Sequence, residues 1–171
     1  LARDDGTDYP RLISKNRYNL YSSSIIVNIP TVGTPATTQS AEFRLNAGTD
    51  ADATGNSLKW IVTTPNSNNV VKLYHKTTLA INVYSNTHNY MKWYKIAESG
   101  GVLTWSTSTD SSTWVTANTI TLSTYPSLNI KNVRVELTAS VGTGDSTNMV
   151  AFDHLNKQVT SNNRAETYHE V

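Results

Sequence analysis

No cysteine occurs in the 171 residues. That absence excludes a disulfide scaffold, a cysteine-based zinc site and a thiol nucleophile. Charge is scarce as well: Asp, Glu, Lys and Arg make up 16% of the chain, against about 25% in an average soluble domain. The two signs nearly cancel, with 14 Lys and Arg against 13 Asp and Glu. A dedicated nucleic-acid binder would concentrate Lys and Arg, so no nucleic-acid partner is expected. No apolar run approaches the roughly 18 residues of a membrane-spanning helix, so no membrane insertion is expected. Helical periodicity is almost missing, and no repeat of 20–50 residues points to a propeller or solenoid.

What the chain does contain is neutral polarity. Thr, Ser and Asn together account for about a third of it. Ile, Val, Leu and the aromatics recur in patterned runs, which argues against disorder. The length fits one domain, residues 1–171, able to bury about 70% of its unfolded surface.

Apolar residues alternate in short runs separated by Gly, Pro, Asn, Asp and Ser, the signature of strands. Strands are predicted over 18–21, 24–29, 41–45, 57–62, 70–75, 79–84, 89–97, 101–108, 114–122, 133–139 and 148–155. Loops are predicted over 30–38, 48–56 and 141–147, each rich in turn formers. Short strands at this spacing imply an all-β sandwich of two antiparallel sheets.

Alternation also assigns faces, because successive strand side chains point to opposite sides. Val133, Val135 and Leu137 oppose Arg134 and Glu136; Ala41, Phe43 and Leu45 oppose Glu42 and Arg44. Leu58, Trp60 and Val62 oppose Lys59, and Val71, Leu73 and His75 oppose Lys72 and Tyr74. Ile81 and Val83 oppose Asn82 and Tyr84. Gly100-Gly101 reads as a two-residue hairpin turn. It would set Ile96 opposite Trp105 and Glu98 opposite Leu103, leaving Trp93 and Lys95 facing away. Trp60, Trp105 and Trp114 are expected in the core.

Residues 85–114 carry aromatics at Trp93 and Tyr94, then Lys95, Ile96, Glu98-Ser99-Gly100-Gly101, and a Ser108-Thr-Asp-Ser-Ser-Thr-Trp114 turn. This run resembles the central hairpin of concanavalin A-like (laminin G-like) jelly-roll domains. Asn132 to Leu137 and Val150 to Asn156, with Phe152-Asp153, resemble the last two strands of that family. The family often has Gly where Ser111 or Ser112 stands. The resemblance covers the C-terminal half well and implies a jelly-roll β-sandwich. It further implies a lectin or glucanase relative, of the kind appended to bacterial secreted proteins and phage tail proteins. The family's opening strand is expected to be missing, Leu1 marks a processed or excised fragment, and 158–171 form a C-terminal tail or extra strand.

Flat aromatics stack on sugar rings while planar polar groups orient hydroxyls. Tyr74, Tyr84 and Trp93, with Arg44, Arg134 and Glu136, are therefore the candidate carbohydrate-binding residues. No Glu-x-Asp-x-Glu run aligns carboxylates as retaining glycosidases do; Glu42, Glu98, Glu136 and Asp153 stand one per strand. No catalytic residues and no enzyme are expected. His75, His88, His154 and His169 show no metal-ligand spacing, and His75 and His154 fall on expected apolar faces. A structural calcium is the one metal considered, with Asp153, Asp4, Asp5 and Asp8 as oxygen donors. Asp110 is expected to close its hairpin turn through side-chain hydrogen bonds.

The expected function is a non-catalytic carbohydrate-binding or adhesion module of a secreted or surface protein, meeting a polysaccharide or cell-surface glycan. The alternative is a structural subunit of a phage tail or extracellular fibre, a homo-oligomer formed by strand addition. Either places the chain outside the cell or on a cell or virion surface.

Overall fold

The computed structural model describes residues 11–32, 39–47, 55–64, 69–76, 78–85, 91–141 and 150–159. The strands are β1 (Arg11–Ile13), β2 (Ser23–Val32), β3 (Gln39–Asn46), β4 (Ser57–Thr64), β5 (Asn69–His75) and β6 (Thr78–Ser85). Then come β7 (Trp93–Ser99), β8 (Val102–Ser108), β9 (Val115–Thr121), β10 (Arg134–Val141) and β11 (Val150–Val159). They form a six-stranded sheet, β1-β10-β3-β4-β5-β6, and a five-stranded sheet, β11-β2-β7-β8-β9, with every pairing antiparallel. Early strands pair with late ones, β2 with β11 and β3 with β10, and the chain crosses repeatedly between the sheets. That winding is a jelly-roll β-sandwich.

The core lies between the sheets and is made by the alternating apolar sets. Phe43, Leu45, Leu58, Trp60, Val71, Leu73, Val135 and Leu137 come from one sheet; Ile25, Val27, Tyr94, Ile96, Leu103 and Trp105 come from the other. Trp60 bridges the layers: its ring meets Tyr94 edge-on at 5.4 Å and its indole N–H donates to the Lys95 carbonyl at 3.2 Å. Short 3₁₀ turns at Leu122–Thr124 and Ile130–Asn132 seal one end with Leu128 and Ile130.

The Gly100-Gly101 turn has the expected register, with Ile96 paired to Trp105 and Glu98 to Leu103. Both glycines adopt positive φ, 58° and 83°, as a two-residue hairpin turn requires. The register also directs Glu98 inward. Its carboxylate is buried and accepts the backbone N–H of Gly101 at 2.7 Å and of Ser22 at 2.5 Å.

Four expectations need correction. Residues 18–21 are not a strand: Tyr18 makes one bridge to Val133, while the three-residue β1 just before it pairs with β10. The loop predicted from Pro30 starts late, because β2 continues through Pro30 to Val32. Pro30 fits there since Asp153 pairs with Asn28 and Ala151 with Thr31, a register irregularity that asks no N–H of it. Trp114 is not in the core. It precedes β9, half-buried, and lies against Lys95 with Nζ 3.9 Å from the ring centroid. His154 is exposed at 68% of its side chain rather than on an apolar face. A second irregularity in β11 puts it at φ 46° and turns it outward.

Candidate functional site

Five of the six candidate carbohydrate-binding residues belong to the six-stranded sheet. Arg44, Tyr74, Arg134 and Glu136 share its outer face, and Tyr84 pairs through its backbone with Val70 of β5. Trp93 is on the outer face of the other sheet, so the structure does not bring it to the rest. There it packs against His154 at 5.8 Å between ring centroids, and His154 Nδ1 is 2.8 Å from Asp153 Oδ2. Asp153 is therefore engaged with its neighbour. No group of three or more His, Cys, Asp or Glu is placed to hold a metal among the described residues. Asp4, Asp5 and Asp8, like His88 and His169, lie outside the described residues.

Register turns the outer face of the six-stranded sheet into rows. One row runs Glu136, Arg44, Lys59, Lys72, Asn82 across β10, β3, β4, β5 and β6. The neighbouring row runs Arg134, Asn46, Ser57, Tyr74 across β10, β3, β4 and β5. Neighbouring strands are about 4.8 Å apart, so each row is a line of polar groups at fixed intervals.

A charged network ties the first row together. Arg44 Nε donates to Glu42 Oε1 at 2.5 Å, and its guanidinium forms an ion pair with the same carboxylate. Arg44 Nη1 lies 3.5 Å from Glu136 Oε1, and Lys59 Nζ 3.2 Å from Glu42 Oε1. Asn46 donates to Glu136 Oε2 at 2.9 Å, and the Thr138 hydroxyl to Oε1 at 3.5 Å. Glu136 is only 3% exposed, so it works as an anchor for Arg44 and Asn46. Glu42 and Glu136, separate in sequence, are thus gathered around one guanidinium.

Lys59 is the strained member. Burial lowers its pKa from the ordinary lysine value, and Arg44 and Lys72 push the same way; Glu42 opposes them. Its ammonium sits 4.9 Å from the centroid of the half-buried Tyr74 ring. In the second row three consecutive residues hold buried polar atoms without a hydrogen-bond partner: Arg134 Nε, Asn46 Oδ1 and Ser57 Oγ. Groups of this kind are uncommon in folded proteins, and His75 Nε2, Trp105 Nε1 and Asn118 Nδ2 share the condition elsewhere in the molecule. Alternation had directed Lys59, Lys72 and Glu42 outward; their place in one site depends on long-range pairing that no local pattern reports.

No protein-family model matches this chain, and no curated protein matches it. Solved structures do resemble it. A kappa-carrageenase from Pseudoalteromonas carrageenovora, in complex with an oligotetrasaccharide of kappa-carrageenan, is 8% identical at a TM-score of 0.43. That match covers 78% of this chain and 55% of the carrageenase, so the chain spans about half the enzyme's length. Chicken galectin 2 is 10% identical at a TM-score of 0.38, over 77% of this chain and 97% of the galectin.

Proposed function

We propose that the outer face of the six-stranded sheet binds saccharide and that the chain is a non-catalytic carbohydrate-binding or adhesion module working outside the cell. The observation that carries this reading is the pair of adjacent cross-strand rows. They offer polar groups at fixed spacing, of which Lys72, Arg134 and the Tyr74 ring are partly exposed. Sugar hydroxyls both donate and accept, and a ring face suits stacking, so the two requirements meet in one ligand class.

A catalytic reading has one observation in its favour, the gathering of Glu42 and Glu136 around Arg44. Against it, Glu136 is buried with both oxygens occupied. Glu42 Oε1 is likewise held by Arg44 and Lys59, and no role in bond cleavage is assigned to either.

The test is a glycan array followed by calorimetry on the best ligand. Tyr74→Ala should weaken binding at least tenfold while the circular dichroism spectrum is retained. Reducing ends should not accumulate when the protein is incubated with that polysaccharide. Absence of any binding glycan, or full affinity in Tyr74→Ala, would remove the site; release of reducing ends would make the protein an enzyme.

A further inference from the structure

The chain as a whole is almost neutral, yet its charge is not evenly spread over this face. The two rows and the adjoining Glu42 place four cations, Arg44, Lys59, Lys72 and Arg134, against two carboxylates. The carboxylates are both committed to the Arg44 end, where they serve Arg44 and Lys59. Among the described residues, Lys72 and Arg134 have no ion-pair partner.

The arrangement is also costly for folding. Lys59 stands directly opposite Arg44 on one side and Lys72 on the other. Like charges directly opposite in a sheet destabilise it. Glu42 and Glu136 offset that repulsion at Arg44 and Lys59, but no carboxylate among the described residues does so for Lys72, which an anion from outside would stabilise.

Resting on the saccharide reading above, we infer that the ligand is an acidic polysaccharide whose carboxylate or sulfate groups pair with Lys72 and Arg134. The two residues are on β5 and β10, three strand spacings and one row apart, about 16 Å. That span suits an oligosaccharide carrying charge on more than one unit, not a single charged sugar. Between the strands that carry the two cations lie Asn46 and Ser57 in one row and Arg44 and Lys59 in the other, all buried, so the ligand would run over them and meet the partly exposed Lys72, Tyr74 and Arg134.

Calorimetry in low salt with matched polymer pairs tests this: polygalacturonate against its methyl ester, and dextran sulfate against dextran. One anionic member should bind at least tenfold tighter than its neutral partner, and the pair that responds identifies the anion. Raising NaCl from 50 to 500 mM should shrink that gap, because partly exposed charges are screened. Lys72→Gln/Arg134→Gln should lose at least tenfold in affinity for the anionic polymer, and Trp93→Ala, on the other sheet, should lose none. Lys72→Gln alone serves if the double variant does not fold, with a loss of about threefold expected. Equal binding of the neutral partner, or an unaffected Lys72→Gln, would overturn the acidic-ligand inference and leave the saccharide surface standing. Failure to bind any polysaccharide would remove both. Equal affinity for oligothymidylate would assign the face to polyanions in general and overturn the saccharide assignment.

Discussion

Ser111 shows how much a single residue can reveal. It has φ 65°, in the left-handed region where an L side chain costs about 1–2 kcal/mol. It sits in the β8–β9 turn, where Asp110 accepts hydrogen bonds from the N–H groups of Thr113 at 2.8 Å and Ser112 at 2.9 Å. The Ser108 hydroxyl joins them at 2.8 Å. Together these donors hold the Asp110 carboxyl well below the usual carboxylate range. Glycine adopts this conformation without that cost. Ser111→Gly should therefore stabilise the protein, by about 0.5–1 kcal/mol in urea unfolding, once the added flexibility of the unfolded chain is deducted. Lys59 makes the opposite case, a residue kept at a cost to stability. Its folded pKa lies below the unfolded value, so the folded state disfavours its charge. Its contribution to stability is full only above the unfolded pKa, near 10.5, and is lost as pH falls through the folded pKa. Lys59→Met removes that penalty while Arg44 still holds Glu42. The variant should be more stable than the parent at pH 7, with the advantage narrowing by pH 10, as read by denaturant midpoints at the two values.

Elements that follow strict alternation were legible in the sequence, and those that break it were not. The β7–β8 hairpin is the best case, because a two-residue turn leaves one register and the register decides every side chain's face. Gly100 there has φ 58° and nothing within 4 Å of an added Cβ. Gly100→Ala should thus cost about 1 kcal/mol through backbone strain alone, measurable as a lowered urea midpoint with unchanged hairpin contacts. β11 is the contrary case. Its two irregularities shift His154 to the exposed side, and period-two counting cannot anticipate an inserted residue. Trp114 escaped for a related reason: it precedes β9, so the strand's alternation does not govern it. For the candidate site, alternation correctly turned Arg44, Tyr74, Arg134 and Glu136 outward. It carries no information on which sheet a strand joins, and so it grouped Trp93 with residues on the opposite layer. Pairings such as Glu136 with Arg44, 92 positions apart along the chain, arise only when β10 inserts beside β3.

At the scale of the whole molecule, the choice is between a module that meets sugar and a subunit that meets its own copies. Strand addition needs a long, regular, unpaired edge. Among the described residues the edge strands are β1, β6, β9 and β11. β1 spans three of the described residues, and β11 is interrupted twice and carries the left-handed His154. Both are poor templates for an added strand. β9 runs Val115 to Thr121 and is rich in Thr and Asn, with Ile120 as its one buried residue, so it lacks the apolar outer stripe that drives stacking. β6 spans eight residues, with one register irregularity against β5 and with Leu79 exposed beside its polar positions. Apart from the short β1, β6 is the one described edge with an exposed leucine to support strand addition, and a single such edge joins no more than a pair of copies. Sedimentation equilibrium should accordingly find a monomer of 18.8 kDa at micromolar concentration, unchanged between low and high salt. Sedimentation as a dimer that Leu79→Lys returns to monomer would locate self-association at β6. Open-ended oligomers would favour the fibre subunit and displace the saccharide reading as the principal role of the fold.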